Sequence, residues 1–230
     1  MSSGVNPYYP YQRVQGYNTL PALELLPNRI RDYLMDMPGA EYTPPDDNGY
    51  PRCALMKYLY YDTPLPLNNP LPTMQQKVSI VFDPETPDRP PDPSKGFRVY
   101  SQALVSQAQT KGQTIMRIFM GRILSSSNFR TEASVHIVFL SNASYDANTR
   151  DTALSRTFAM ACLAVRALNG VNLGEGVGTL YFDRKQHADC GIIPVNDENM
   201  NVGYQLTLGV TIMGDDGSLT NEMANTMGMW

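Results

Sequence analysis

Seventeen of the eighteen prolines lie between Pro7 and Pro93, and the only other is Pro194. Proline supplies no amide hydrogen to a strand ladder and breaks the interior of a helix. The first half of the chain therefore cannot be the interior of a regular sheet. Ten of the fourteen tyrosines also precede residue 62, and a disordered linker is poor in aromatics. Both facts are met if this half consists of arms and loops that lie on a folded body, their own or a neighbour's.

Three short elements are expected within it. Leu20 to Met37 contains a helix, with Pro27 at its first turn, an apolar stripe of Ile30, Leu34 and Met37, and Pro38-Gly39 as its stop. Ala54–Tyr61 and Lys77–Phe82 read as strands closed by prolines or an Asp-Pro turn. Between Asp83 and Gly96 there are six charged residues and five prolines, the composition of a stiff, exposed excursion.

The second half is more regular. Phe97–Gln109 and Gln113–Ser125 read as the arms of a hairpin turned at Thr110-Lys111-Gly112, and Phe129–Leu140 as a strand apolar on both faces. One long helix follows, capped by Asn148 or Thr149, with Asp151 in its first turn. Its apolar face is read as Leu154, Phe158, Cys162, Val165 and Leu168, bordered by alanines and stopped at Asn169-Gly170. Gly178–Phe182 is a short strand, and Val202–Met213 alternates cleanly, with Val202, Tyr204, Leu206, Leu208, Val210 and Ile212 on one face. Strands that cluster without intervening helices predict an α+β fold with a mainly antiparallel sheet, packed by one long helix and a shorter N-terminal one. The domain layout that follows is an extended arm (1–19), a single α+β domain (20–213, with 83–96 as the excursion) and a C-terminal tail (214–230).

Composition narrows the function. Charged residues are 17% of the chain, against about 25% in typical soluble domains, as suits a surface that faces other proteins. With a net charge of −4 and no run of Lys or Arg, the footprint of a nucleic-acid binder is missing. No apolar stretch is long enough to span a membrane, and MSSGVNPYYPYQ lacks the features of a signal peptide. Synthesis in the cytoplasm without export is expected. Cys53, Cys162 and Cys190 are odd in number and far apart, which argues against a disulfide framework.

Candidate chemistry is thin. The glycines of GVNLGEGVG, Gly170–Gly178, follow a helix and precede a strand, the reverse of a phosphate loop, and no Lys or Ser/Thr stands in the required spacing. His187, Asp189 and Cys190 lack the paired ligands of a metal site and read as a polar turn. His136 reads as a hydrogen-bonded sheet residue. The acidic pairs Asp46-Asp47, Asp197-Glu198 and Asp215-Asp216 lack the alternate spacing of a calcium loop and read as solvated turns. No catalytic, metal-ligating or cofactor-binding residue is expected, and an enzyme is not.

The termini are the candidate interface. Tyr8, Tyr9, Tyr11 and Tyr17 with two prolines make a stiff, sticky arm with no periodic face of its own, and Met223, Met227, Met229 and Trp230 end the chain. The strand SVHIVFLS, the helix within TRDTALSRTFAMACLAVRAL, and the strands GTLYF and YQLTLGVTI follow an N-terminal helix and a long hairpin. That order resembles the tail terminator or neck proteins of tailed bacteriophages, those of contractile tails above all. The resemblance implies a virion subunit made in the host cytoplasm and built into a homo-oligomeric ring of six. Such a ring caps the tail tube and joins it to the connector of the neck. Another head-completion, tube or decoration protein fits nearly as well. An intracellular hydrolase using loop carboxylates is the rival of a different class.

Overall fold

The structure, a computed structural model, describes residues 19–37, 51–81, 97–101, 114–127, 130–142, 155–173, 178–196 and 201–213. The elements in order are α1 (Thr19–Met35), α2 (Pro51–Tyr60), a 3-10 turn (Pro66–Asn68), α3 (Met74–Val81), β1 (Val99–Tyr100), β2 (Ile115–Ser127), β3 (Arg130–Asn142), α4 (Arg156–Leu168), β4 (Leu180–Tyr181), β5 (Gly191–Asn196) and β6 (Asn201–Met213). The fold is α+β, as expected, but it has four helices among the described residues. There the N-terminal helix, at 17 residues, is longer than Arg156–Leu168, at 13, so the expected single long helix with a shorter N-terminal one is not what is found.

The sheet runs β1-β2-β3-β6-β4, with β5 also on β6; every pairing is antiparallel except β1 with β2. β4 takes Gly209 and Val210 of β6, and β5 takes Val202 to Thr207 along the same edge. One face carries Val135, Ile137, Phe139, Leu206, Leu208 and Val210, all buried, and α1 and α4 pack on it. α2 lies across α1 and α4 as a third layer and touches α3. The opposite face is apolar at one end, where Phe97, Tyr100, Ile115, Val138 and Leu140 cluster. Its other end is polar.

Several expectations are corrected. Ala54–Tyr61 is not a strand: α2 has Pro51 at its first position, where a missing N–H costs nothing, and Arg52 to Leu59 are all buried. Burial on every side erases the periodicity that separates helix from strand. Lys77–Phe82 is not a strand either. α3 starts with a capping box in which Thr73 N donates to Gln76 Oε1 at 2.8 Å and Gln76 N to Thr73 Oγ1 at 3.4 Å. Pro27 sits inside α1 and not in its first turn. α1 ends before Pro38-Gly39, with Asp36 left-handed at φ 50 and the Met37 amide reaching back to Asp32 O at 2.9 Å, a Schellman closure.

Segment 97–125 is not a hairpin, because Val99 and Tyr100 run parallel to Met116 and Arg117. The long hairpin is β2–β3, paired from Ile115↔Leu140 to Ser127↔Arg130 with register shifts after Met120 and Ser125. α4 is capped by Ser155, whose Oγ accepts from Phe158 N; Asn148, Thr149, Asp151 and Leu154 lie outside the described residues. Its buried face is Thr157, Ala161, Ala164 and Leu168 with Met160, while Phe158, Cys162 and Val165 are only half-buried. Ala161 and Ala164, 0% exposed, let the helix pack closely on its neighbours.

Four cationic side chains, Arg52, Lys57, Lys77 and Arg156, are buried around α2. Such burial is tolerable only when each charge has hydrogen-bond acceptors or an ion-pair partner. Arg52 donates to Tyr33 O at 2.7 Å and lies over the Tyr33 ring, Lys57 donates to Leu67 O at 3.1 Å, and Lys77 pairs with Asp36 at 3.3 Å. Arg156 donates to the carbonyls of Tyr58, Tyr61 and Thr63. Arg98, partly exposed, takes Leu59 O and Tyr60 O at 2.8 and 3.0 Å and grips Asp62 with both terminal nitrogens. The exit of α2, with its unpaired carbonyls and negative dipole end, is thus closed by two guanidiniums.

Candidate functional site

The polar end of the sheet's second face is built by alternation. His136 on β3 stands opposite Thr207 on β6, and Ser134 opposite Gly209. Each histidine of the chain is seated on a glycine there. A Cβ on Gly121 would fall 2.1 Å from His136 Nε2 and 2.5 Å from Ser134 Oγ; a Cβ on Gly209 would fall 2.1 Å from the His187 ring.

His136 Nδ1 accepts from Gln205 Nε2 at 3.0 Å and lies 2.9 Å from Thr207 Oγ1. Burial lowers its pKa, with the Asp189 carboxylate pulling weakly the other way. A ring that accepts at Nδ1 and is half out of water is a neutral imidazole. His136 is the hydrogen-bonded sheet residue expected of it.

His187 belongs to the connection between β4 and β5, which is folded on itself. Asp183 Oδ1 accepts from Lys185 N at 2.8 Å, Asp183 O accepts from Gln186 N and His187 N, and His187 O accepts from Cys190 N. His187 Nε2 reaches Thr211 Oγ1 at 3.4 Å. Asp189 pairs with Arg122 of β2 at 3.3 Å, both partly exposed. Between this connection and the β2–β3 strands lies a cleft of about 260 Å³ whose walls include Arg122, Glu132, Ser134, Arg184, Lys185 and Asp189.

His187, Asp189 and Cys190 do not converge. Cys190 is buried, its thiol hydrogen bonds to Tyr181 O at 3.4 Å, and burial first of all raises its pKa; it is held as an unreactive thiol. Cys53 and Cys162 are likewise pushed up by burial. Gly170 takes φ 84 just after α4 and its amide donates to Leu180 O at 2.8 Å, so it closes a helix end. The described residues hold no group of three or more His, Cys, Asp or Glu placed to bind a metal ion, and no helix among them is long and apolar enough to cross a membrane. Tyr8, Tyr9, Tyr11, Tyr17, Met223, Met227, Met229 and Trp230, and the acidic pairs at 46–47, 197–198 and 215–216, lie outside the described residues.

The sequence reading passed over the cleft. Its signal was the run Asp183-Arg184-Lys185, two cations after an Asx-turn residue, but Arg122 and Glu132, which complete it, come from a hairpin placed in another register. No protein-family model matches the chain, and no curated protein matches it.

Proposed function

We propose that the chain is a structural virion subunit, a tail terminator or neck protein that closes the tail tube as a homo-oligomeric ring and joins it to the head-side connector. The observation that carries this reading is the outer side of β2. β1 pairs only with Met116 and Arg117, so from Ile118 onward β2 has no strand on that side among the described residues. Open edges of this length are sites of association unless protected. The register shift after Met120 interrupts the edge, and just beyond it Ile123 and Leu124 are 43% and 45% exposed. Ile123, exposed near the far end of the 13-residue strand β2, favours side-chain contact with a neighbouring chain, whereas Leu124 is on the opposite face and lines a cleft there. The tyrosines of the N-terminal arm and the Met/Trp tail are the further contacts proposed, and six subunits is the number that the resemblance implies.

The test is incorporation. Purified protein, alone and mixed with tail tubes, is examined by native mass spectrometry and negative-stain electron microscopy. Ile123→Lys, and separately deletion of 1–19 with 220–230, should leave the melting temperature of the free subunit nearly unchanged and abolish ring formation on the tube. Rings formed equally well by both variants would overturn the reading.

A further inference from the structure

The geometry points to the cleft between the β4–β5 connection and the β2–β3 hairpin as a binding site for a protonated phosphate group, free or carried as a phosphomonoester. Three cations line it, Arg122, Arg184 and Lys185, against two carboxylates, Glu132 and Asp189. Arg122 is engaged by Asp189, whereas the side chains of Arg184 and Lys185 are exposed and make no hydrogen bond or ion pair among the described residues. Adjacent like charges repel, and two that line one cleft unpaired mark a place where an anion would be stabilised. Guanidinium and ammonium together supply the fork and the point charge that phosphate oxygens accept from.

The carboxylates set the kind of anion. A fully deprotonated oxyanion such as sulfate meets Glu132 and Asp189 as repulsion alone. Near neutral pH inorganic phosphate always carries at least one P–O–H, and a monoester does so in part of its population; that hydroxyl can donate to a carboxylate oxygen. A lining with one more cation than carboxylate suits such a partly protonated group better than a dianion without protons. The walls are preformed: Asp183 ties Lys185 N and His187 N, and the His187 ring is seated on Gly209. The backbone of this wall is set before binding, and the ordering still to be done is that of the Arg184 and Lys185 side chains. The volume, about 260 Å³, accommodates the phosphate and a small organic group.

The experiment is calorimetric titration of the full chain near pH 6.5 with inorganic phosphate, with glycerol 3-phosphate and with sulfate, at matched ionic strength. Each ligand is repeated on Arg184→Gln/Lys185→Gln. Saturable binding of phosphate or of its ester, at about 1 mM or tighter, at least tenfold weaker for sulfate and lost in the double variant, is the expected result. The two phosphate arms tell free from esterified phosphate. Absence of saturable binding in both arms, an equal response to sulfate, or unchanged binding by the double variant would each overturn the assignment. Both substitutions are on exposed side chains, so circular dichroism and melting of the variant should match the parent and keep the comparison valid.

Discussion

Arg156, at the start of α4, donates to the main-chain carbonyl of Tyr58 near the end of α2, 98 residues earlier, and its guanidinium lies 5.4 Å from the centre of the Tyr58 ring. With the carbonyls of Tyr61 and Thr63 also accepting from it, one side chain closes the exit of a helix. Arg156→Met keeps much of the volume but removes every donor. The buried Tyr58 carbonyl left without a partner costs roughly 1–3 kcal/mol, and the more exposed Tyr61 and Thr63 carbonyls can turn to water, so urea unfolding should show a loss of about 2–3 kcal/mol. Arg156→Lys should recover only part of it, because an ammonium cannot reproduce the fork. A loss below about 1 kcal/mol for the methionine variant would mean that water replaces the guanidinium.

The inner surface of α4 makes a second prediction. Phe158 is half-buried and packs on Tyr204 with ring centroids 4.9 Å apart. Phe158→Ala should therefore cost about 1–2 kcal/mol, well short of the 3–5 typical of a fully buried ring. Ala164→Leu places a bulky side chain at a fully buried core position and should cost about 1–3 kcal/mol by overpacking. Thermal melts of the two variants decide which face of the helix is the inner one.

Stability should fall on the acid side through His136. Its folded pKa lies below the ordinary histidine value of about 6.5. Above pH 6.5 the ring is neutral in both the folded and the unfolded chain, and the native Gln205 contact is fully present. As pH drops below 6.5 the unfolded chain takes up a proton that the folded one resists, so stability declines toward the folded pKa. Denaturant midpoints between pH 7.5 and 5 should slope downward, and His136→Gln should flatten that slope. An equal slope in the variant would place the proton uptake elsewhere.

Gly209 and His187 should behave as a coupled pair. Gly209→Ala drives a methyl into the imidazole and should destabilise by about 1–3 kcal/mol. In a His187→Ala background the same change should be nearly neutral. A double-mutant cycle with coupling under about 0.5 kcal/mol would show that the connection moves aside freely.

Which parts of this architecture were legible follows from which signals are local. β3 and β6 were read almost to the residue, since Val135-Ile137-Phe139 and Leu206-Leu208-Val210 alternate as the sheet demands. α3 was misread as a strand because its β-branched Val78, Ile80 and Val81 outweighed the Thr-x-x-Gln box of Thr73 and Gln76, which alone marks a helix start. β5 escaped because Pro194 lies within it; an edge strand tolerates proline, and Pro194 is exposed on that edge. Between the ends of β2 and β3 the sequence has Asn-Phe and no Gly to flag a turn, whereas Thr110-Lys111-Gly112 has one. The cleft was illegible for a different reason: Arg122, Glu132 and Asp189 meet only through the sheet register, which no short stretch encodes.

The double guanidinium clamp also fixes an order of events during synthesis. α2 leaves the ribosome long before the residues that finish it, since Arg98 follows Tyr60 by 38 positions and Arg156 follows Tyr58 by 98. At about 5–20 residues per second, the second clasp arrives at least several seconds after the helix it closes. Throughout that interval the apolar flanks of α2 and its open carbonyls face the nascent-chain environment without their partners, a window in which a chaperone would find them. Ribosome-bound chains stalled before residue 156 should be cut by protease within α2, and chains stalled well beyond β6 should resist.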